Sequence, residues 1–248
     1  MSGTQQILGL RFHDGDVESV VTRFSQAGGV LVVPAAPALV RLQRDEIYRA
    51  AMLTADVAIP DSGLMVLVWG LLGHKTLSRI SGLTYLQRLV REPAFKAGSV
   101  FFVLPSESAK TKLLAWSKAG GFRIGPENGY VAPMYQREIS DAVLLEHVEQ
   151  QKPAHIVIAI GNGPQEKLGI YLRDHLSYRP AIHCIGAALG FLTGDQVAIP
   201  AWADRFYLGW LLRLFAQPRI FIPRLARATA VPWLIFRYGA ELPPLVES

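Results

Sequence analysis

A single cysteine, Cys184, stands in 248 residues, so no disulfide framework is available and the chain suits a reducing compartment. It lies in the apolar run Ala181-Ile182-His183-Cys184-Ile185-Gly186, which predicts a buried thiol. Long hydrophobic runs are missing as well. Half of the residues are hydrophobic and the mean hydropathy is +0.24, yet no stretch reaches the roughly 18 to 20 apolar residues that a membrane span needs. The best stretch, from Ser62 to Gly73, is closed by Asp61 and His74, and the residues between Arg227 and Arg237 contain Pro232. The opening MSGTQQILGLRF carries neither a basic flank nor a cleavage pattern. No signal peptide is expected, and the reading is a cytoplasmic protein.

Several motifs are absent in ways that exclude function classes. There is no G-x-G-x-x-G after a strand and no Walker loop, which removes the standard dinucleotide and P-loop readings. The six histidines show no paired metal spacing. Asp14-Gly15-Asp16 has the form of a metal-holding D-x-D, but it precedes the first clear βα unit and reads as a turn. No metal and no cofactor are expected.

Negative charge is absent from one long segment. Between Phe206 and Ala240 there is no acid, while Arg205 to Tyr238 holds six arginines and no lysine. Trp210, Phe215, Phe221, Trp233 and Phe236 lie among them. From Arg205 to the last residue those arginines meet only Glu241 and Glu247, a balance of +4 out of the chain's +5. A segment both apolar and purely cationic fits an anionic membrane surface or a pyrophosphate. The plainer alternative is a helix pair packed on the core with its arginines snorkelling to water. Nucleic acid is disfavoured, because the basic residues concentrate in an apolar tail.

What is present is an alternation of buried strands and helices. The runs 29–34, 55–60, 99–104, 155–160 and 181–186 are dominated by apolar residues without polar alternation, as in strands covered on both faces. Helical stretches separate them: one continuous helix over 36–55, one from Gly63, one after Ser106 as N-cap, and one over 164–176. This predicts an α/β fold with right-handed crossovers, whose ligands bind beyond the carboxyl ends of the strands. Three such ends carry suitable residues: Pro60-Asp61-Ser62-Gly63, Gly161 to Glu166, and Gly186-Ala187-Ala188.

Asp61 is the leading catalytic candidate, because a partly desolvated carboxylate can serve as a general base. Its structural alternative is the N-cap of the helix from Gly63. Asn162, Gln165 and Glu166 open another helix, where backbone amides favour a phosphate and the side chains reach sugar hydroxyls. Glu166 could equally be a first-turn acid that complements the helix dipole.

In order and spacing the chain resembles the WecG/TagA/CpsF-type glycosyltransferases, from about Ile7 to Arg219. The resemblance is carried by Val32-Val33, Pro60-Asp61-Ser62-Gly63, Arg79-Ile80-Ser81-Gly82, Gly129-Tyr130, the Gly161 to Glu166 run, Gly186 to Gly194, Pro200, Trp210, Arg213, Pro218 and Arg219. It implies an inverting, metal-independent hexosyltransferase with a Rossmann-like, mostly parallel sheet covered by helices. Such an enzyme moves a sugar from a UDP-sugar to a sugar on polyprenyl pyrophosphate, at the inner membrane face, in cell-surface polysaccharide synthesis. It also implies a core over 1–200 and a basic-apolar helical appendage over 201–248 that closes the site and meets the anionic membrane through Arg205–Tyr238. Asp61 is then the base. Arg79, Tyr130, Gly161, Asn162, Gln165, Glu166 and Gly186 bind substrate, and Arg213, Arg219 and Arg224 close over the diphosphate. Oligomeric assembly is left open. The chain departs from the family pattern at Pro34, Ala36, Thr84, Val103-Leu104-Pro105, Gly163 (usually proline), Gly190, Ala198 and Gly209. A rival reading is therefore a non-catalytic, membrane-bound scaffold or nucleotide-binding homologue, and a third is a soluble nucleotide-binding oxidoreductase.

Overall fold

The computed structural model describes residues 3–194 and 218–246. Its strands are β1 (Gly3–Ile7), β2 (Leu10–Asp14), β3 (Gly29–Val32), β4 (Val57–Ala58), β5 (Val100–Leu104), β6 (Gly129–Val131), β7 (His155–Ile158) and β8 (Ala181–Cys184). The helices are α1 (Val17–Ala27), α2 (Ala36–Arg41), α3 (Glu46–Thr54), α4 (Gly63–Leu71), α5 (Gly82–Leu89), α6 (Pro93–Lys96), α7 (Glu107–Gly120), α8 (Ala142–Gln151), α9 (Pro164–His175), α10 (Ala188–Thr193), α11 (Pro218–Ala228) and α12 (Ala230–Tyr238). All eight strands join one sheet in the order β1-β2-β4-β3-β8-β7-β5-β6. Only the β1–β2 pair is antiparallel, and every other neighbouring pair runs parallel.

Strand side chains alternate between two buried layers, which is why the central strands read as unbroken apolar runs. Val30, Val32, Phe101, Val103, Ile156, Ile158, Ile182 and Cys184 face one layer, covered by α2, α3, α4, α8, α9 and α12. Leu31, Val100, Phe102, Leu104, Val157 and Ala181 face the other, covered by α1, α5, α6, α7 and α10. The expected α/β architecture is what forms. Cys184 is fully buried, and its Sγ–H donates to the Gln165 carbonyl at 3.3 Å. His155 and His183 are buried within the strands and satisfy each other: His155 Nδ1 and His183 Nε2 lie 3.2 Å apart, and His183 Nδ1 lies 2.9 Å from the Tyr85 hydroxyl. Burial pushes both imidazoles below their ordinary range.

The structure departs from the sequence reading in several places, and α1, α5, α6, α8 and α10 are helices that the reading did not place. The helix expected over 36–55 is two helices, because Asp45 caps α3 by accepting from the Tyr48 amide at 2.9 Å; a short acidic side chain that can bond its own backbone favours a cap over a helix interior. The β1–β2 hairpin and β6 were not read from the sequence at all. The hairpin turns at Leu8 and Gly9, with φ of 50° and 81°, the double positive φ of a type I′ turn.

The carboxyl-terminal residues are built into this body. Val231, Leu234 and Ile235 of α12 sit in the same core layer as the sheet. The Leu8 and Gly9 amides donate to the carbonyls of Gly239 and Ala240, both at 2.9 Å, and the Val246 amide donates to the Gln43 carbonyl at 2.8 Å. No helix among the described residues is long and apolar enough to cross a membrane.

Candidate active site

Four parallel strands, β4, β3, β8 and β7, lie side by side at the centre of the sheet. Their carboxyl ends release the chain into the segments that hold the residues expected at a site: Asp61 after β4, Gly186 after β8, and Gly161 to Glu166 after β7. From β4 to β7 is three strand spacings of roughly 4.8 Å.

Asp61 is half-buried, and its Oδ1 accepts the Gly82 amide at 3.1 Å. Gly82 opens α5, so the carboxylate sits at the positive end of that helix. Arg79 donates Nε–H to the Asp61 main-chain carbonyl at 2.8 Å, which pins the strand end and sets a guanidinium beside it. Asp61 does not cap α4. That cap is Ser62, whose hydroxyl accepts from the Met65 amide at 3.2 Å.

Contacts run onward from Gly82. A side-chain carbon added to it would touch Val33, Ala188 and the Ile185 carbonyl, so the start of α5 is pressed against the ends of β3 and β8. Gly186 follows with φ of 57°, and a carbon added there would lie 3.6 Å from the Gln165 amide group. Gln165 in turn donates Nε2–H to Glu166 at 2.9 Å. The carboxylate, the Gly186 turn and the glycine loop therefore form one contiguous surface at the strand ends.

Glu166 is fully buried, and its oxygens are taken by the loop around it. Oε2 accepts the Gly163 amide at 2.6 Å, and Oε1 accepts the side-chain amides of Asn162 at 3.2 Å and Gln165 at 2.9 Å. Burial raises its proton affinity, partly offset by those donors. Gln165 is 1% exposed, and its Oε1 is a buried oxygen without a hydrogen bond. Gly163 explains one departure from the family pattern. Its φ is 101° and its N–H is used by Glu166, whereas proline fixes φ near −65° and has no N–H. A proline could not hold this loop.

Arg41 was missed by the sequence reading. Its Nη1 donates to the Asn162 carbonyl at 3.0 Å, and a side chain at Gly163 would overlap the guanidinium. Arg41 also pairs with Asp45 at 3.5 Å and lies 5.4 Å over the Tyr48 ring, while Lys167 meets Asp45 at 3.2 Å. No local signal marks it, because the Arg41–Asp45 spacing of four is also that of an ordinary pair on a helix surface.

Tyr130 is not brought to this cluster. It lies on β6 at the outer edge of the sheet and donates its hydroxyl to Asp141, at 3.0 Å to the nearer oxygen. Asp141 caps α8 through the Leu144 amide at 2.9 Å and takes a second hydroxyl from Tyr135 at 2.6 Å. Burial and that carboxylate push the Tyr130 hydroxyl up to about 12. Arg213 lies outside the described residues, as do Arg205, Trp210 and the side chains of Arg219 and Arg224, whose backbone belongs to α11. Asp14 and Asp16 serve separate local purposes: Asp14 pairs with Lys75 at 2.7 Å, and Asp16 caps α1 by accepting the Ser19 amide at 2.8 Å.

A sequence model of the glycosyl transferase WecG/TagA/CpsF family matches residues 5–243, nearly the whole chain. The chain belongs to that family. One relative, an N-acetylglucosaminyldiphosphoundecaprenol N-acetyl-beta-D-mannosaminyltransferase of Bacillus spizizenii, is 27% identical over 224 residues, covering 87% of this chain and 84% of that protein. The activity class is therefore glycosyl transfer, and the strand-end surface carries groups of the kinds that chemistry uses. Sugar transfer to a hydroxyl uses a base for the leaving proton, a pocket for the donor, and positive charge for an anionic leaving group. Asp61, the Gly161–Glu166 loop with Gly186, and Arg79 with Arg41 are residues of those three types.

Proposed function

We propose that this protein transfers a sugar from a UDP-sugar to a sugar carried on a polyprenyl diphosphate, with inversion, without a metal, at the inner face of the cell membrane. The observation that carries the reading is the placement of Asp61, its carboxylate fixed by the Gly82 amide at one end of a surface whose other end is the glycine loop before α9. In this reading the nucleotide diphosphate lies over Gly161, where a side-chain carbon would meet nothing within 4 Å, and beside the Gly186 turn. The acceptor hydroxyl approaches the anomeric carbon from the side of Asp61. Asp61 takes the hydroxyl proton as the new C–O bond forms, and the bond from that carbon to UDP breaks with its electron pair leaving on the diphosphate. Attack opposite the leaving group inverts the anomeric centre. Arg79, with Arg213, Arg219 and Arg224 from the basic segment, balances the charge that develops on UDP.

The acceptor class is supported by the name of the Bacillus spizizenii relative, which specifies an N-acetylglucosaminyldiphosphoundecaprenol acceptor and an N-acetyl-beta-D-mannosaminyl group transferred. A substrate on a polyprenyl chain stays in the bilayer, so the enzyme must work at its surface. The apolar, acid-free composition from Phe206 to Ala240 suits that place. The test is turnover: a panel of UDP-sugars offered with a short-chain polyprenyl-diphosphate N-acetylglucosamine, with UDP release and the product's anomeric configuration as readouts. UDP release that depends on both substrates, with an inverted product, bears the proposal out. No turnover with any UDP-sugar, or a retained anomeric configuration, refutes it.

A further inference from the structure

Two neighbouring helices turn large apolar side chains to the outside. α4 and α12 pack side by side, and both send their inner residues into one core layer, Met65 and Trp69 from α4 and Val231, Leu234 and Ile235 from α12. Their opposite stripes therefore face the same way. On α4 that stripe holds Leu67 and Leu71, which are 60% and 77% exposed and one helical turn apart. On α12 it holds Trp233 and Phe236, at 57% and 75%, with Arg237 completing the i, i+3, i+4 row. The sequence of α4 has no charged residue, and the formal charges of α11 and α12 are all arginines.

We infer that α4 is a membrane-seating element: Leu67 and Leu71, together with Trp233 and Phe236 of α12, enter the headgroup boundary of an anionic bilayer while Arg227 and Arg237 engage its lipid phosphates. This deepens the membrane-surface reading proposed above and rests on it. The charge pattern favours lipid over a second copy of the chain. An isologous dimer sets a patch against itself, so this face would bring arginine towards arginine, and α4, α11 and α12 hold no acid to receive it. Area argues the same way, because four part-exposed side chains offer on the order of a few hundred Å², below the roughly 800 Å² per partner of a stable interface. An aromatic–apolar row with arginine at its margin is the composition that lies flat in the interfacial zone. The placement also has a catalytic consequence. Ser62 caps α4 and follows Asp61 directly, so the helix that seats in lipid begins beside the candidate base. Seating it fixes the distance between Asp61 and the headgroup plane, where the diphosphate of a polyprenyl-linked acceptor lies.

The experiment is co-sedimentation of the full chain with phosphatidylcholine vesicles, with and without phosphatidylglycerol, for the wild type, Leu67→Gln/Leu71→Gln, and Arg237→Gln. Melting temperature and sedimentation velocity are followed in parallel. The expected result is phosphatidylglycerol-dependent binding of the wild type, on the order of tenfold weaker in the leucine pair variant at an unchanged or higher melting temperature. Arg237→Gln is expected to lose several-fold only where phosphatidylglycerol is present. If the wild type and the leucine variant bind equally well, α4 is not a lipid contact, although the membrane reading survives. If the leucine variant keeps its vesicle binding and passes from dimer to monomer, a second copy covers this face and the inference is overturned. If the wild type binds neither vesicle, the membrane reading itself falls and this inference with it.

Discussion

Asp61 and Glu166 are both carboxylates at strand ends, and their surroundings give them different work. Asp61 is half-buried, beside Arg79 and at the start of α5. Asp61→Asn keeps an oxygen for the Gly82 amide, so folding and UDP affinity are expected to hold while turnover falls by roughly two to four orders of magnitude. Melting curves and steady-state rates check this together, and a variant that melts lower but retains its rate per folded molecule would make Asp61 structural. Glu166 is buried within its own loop, where the amides of Gly163, Asn162 and Gln165 take its oxygens. Its folded proton affinity is raised by burial above the ordinary value of 4.5. A raised carboxyl favours the fold while protonated, so this contribution is complete below about pH 4.5 and is lost as pH rises through the folded value. Protonation also supplies a donor that the unbonded Gln165 Oε1 can accept once that amide turns over. Glu166→Gln is therefore expected to match the wild type in acid and to gain melting temperature relative to it as pH rises, read by thermal melts across pH. A difference that is constant with pH would show that Glu166 does not titrate in the folded protein.

At the scale of elements, the strand-end loops are held by neighbours distant in sequence. The 161–163 turn is gripped from α2 by Arg41 and from α9 by Glu166. Gly163→Pro removes the amide that Glu166 uses and imposes a φ that the turn does not have, for an expected loss on the order of 2–4 kcal/mol in chemical denaturation. Arg41→Ala leaves the backbone able to form the turn but frees its far side. Affinity for UDP, measured by calorimetry, is expected to weaken about three- to tenfold with little change in melting temperature. An unchanged affinity would mean that α2 plays no part in donor binding. These two devices mark what could be read from sequence. The parallel strands, the cap at Ser106, and the grouping of Asp61 with Gln165 and Glu166 follow from short-range chemistry, namely buried aliphatic runs and polar residues where such runs stop. Arg41 and the Tyr130–Asp141 contact belong to tertiary pairing, across 121 and 11 residues respectively. No local pattern distinguishes an arginine that clamps a loop from one that snorkels, or shows that a tyrosine hydroxyl will meet a helix-capping carboxylate.

For the whole molecule, the proposed chemistry places charge balance on arginines. Turnover should therefore survive EDTA, and loss of activity restored by Mg²⁺ or Mn²⁺ would return attention to Asp14 and Asp16 despite their present bonds to Lys75 and Ser19. The same scale governs how the basic segment can be tested. Val231, Leu234 and Ile235 are core residues, each worth about 1.5–3 kcal/mol of burial, so removing everything from Arg205 onward would expose the core along with the arginines. Point variants separate the two effects. The hairpin turn at Leu8 and Gly9 carries a final consequence. Leu8 is fully buried at φ 50°, a conformation costly for a residue with a side chain, and its amide bonds to the Gly239 carbonyl across almost the full chain; the adjoining Gln6–Ala240 bond spans 234 residues. Closing so long a loop is entropically slow. In pulse-labelled refolding, the amides of Leu8 and Gly9 are expected to gain deuterium protection last, well after those of β5, β7 and β8. The opening hairpin would then behave as a latch, set only when the sequence from α12 onward arrives to close it, and a nascent chain not yet extended that far would leave its first two strands open to exchange and proteolysis.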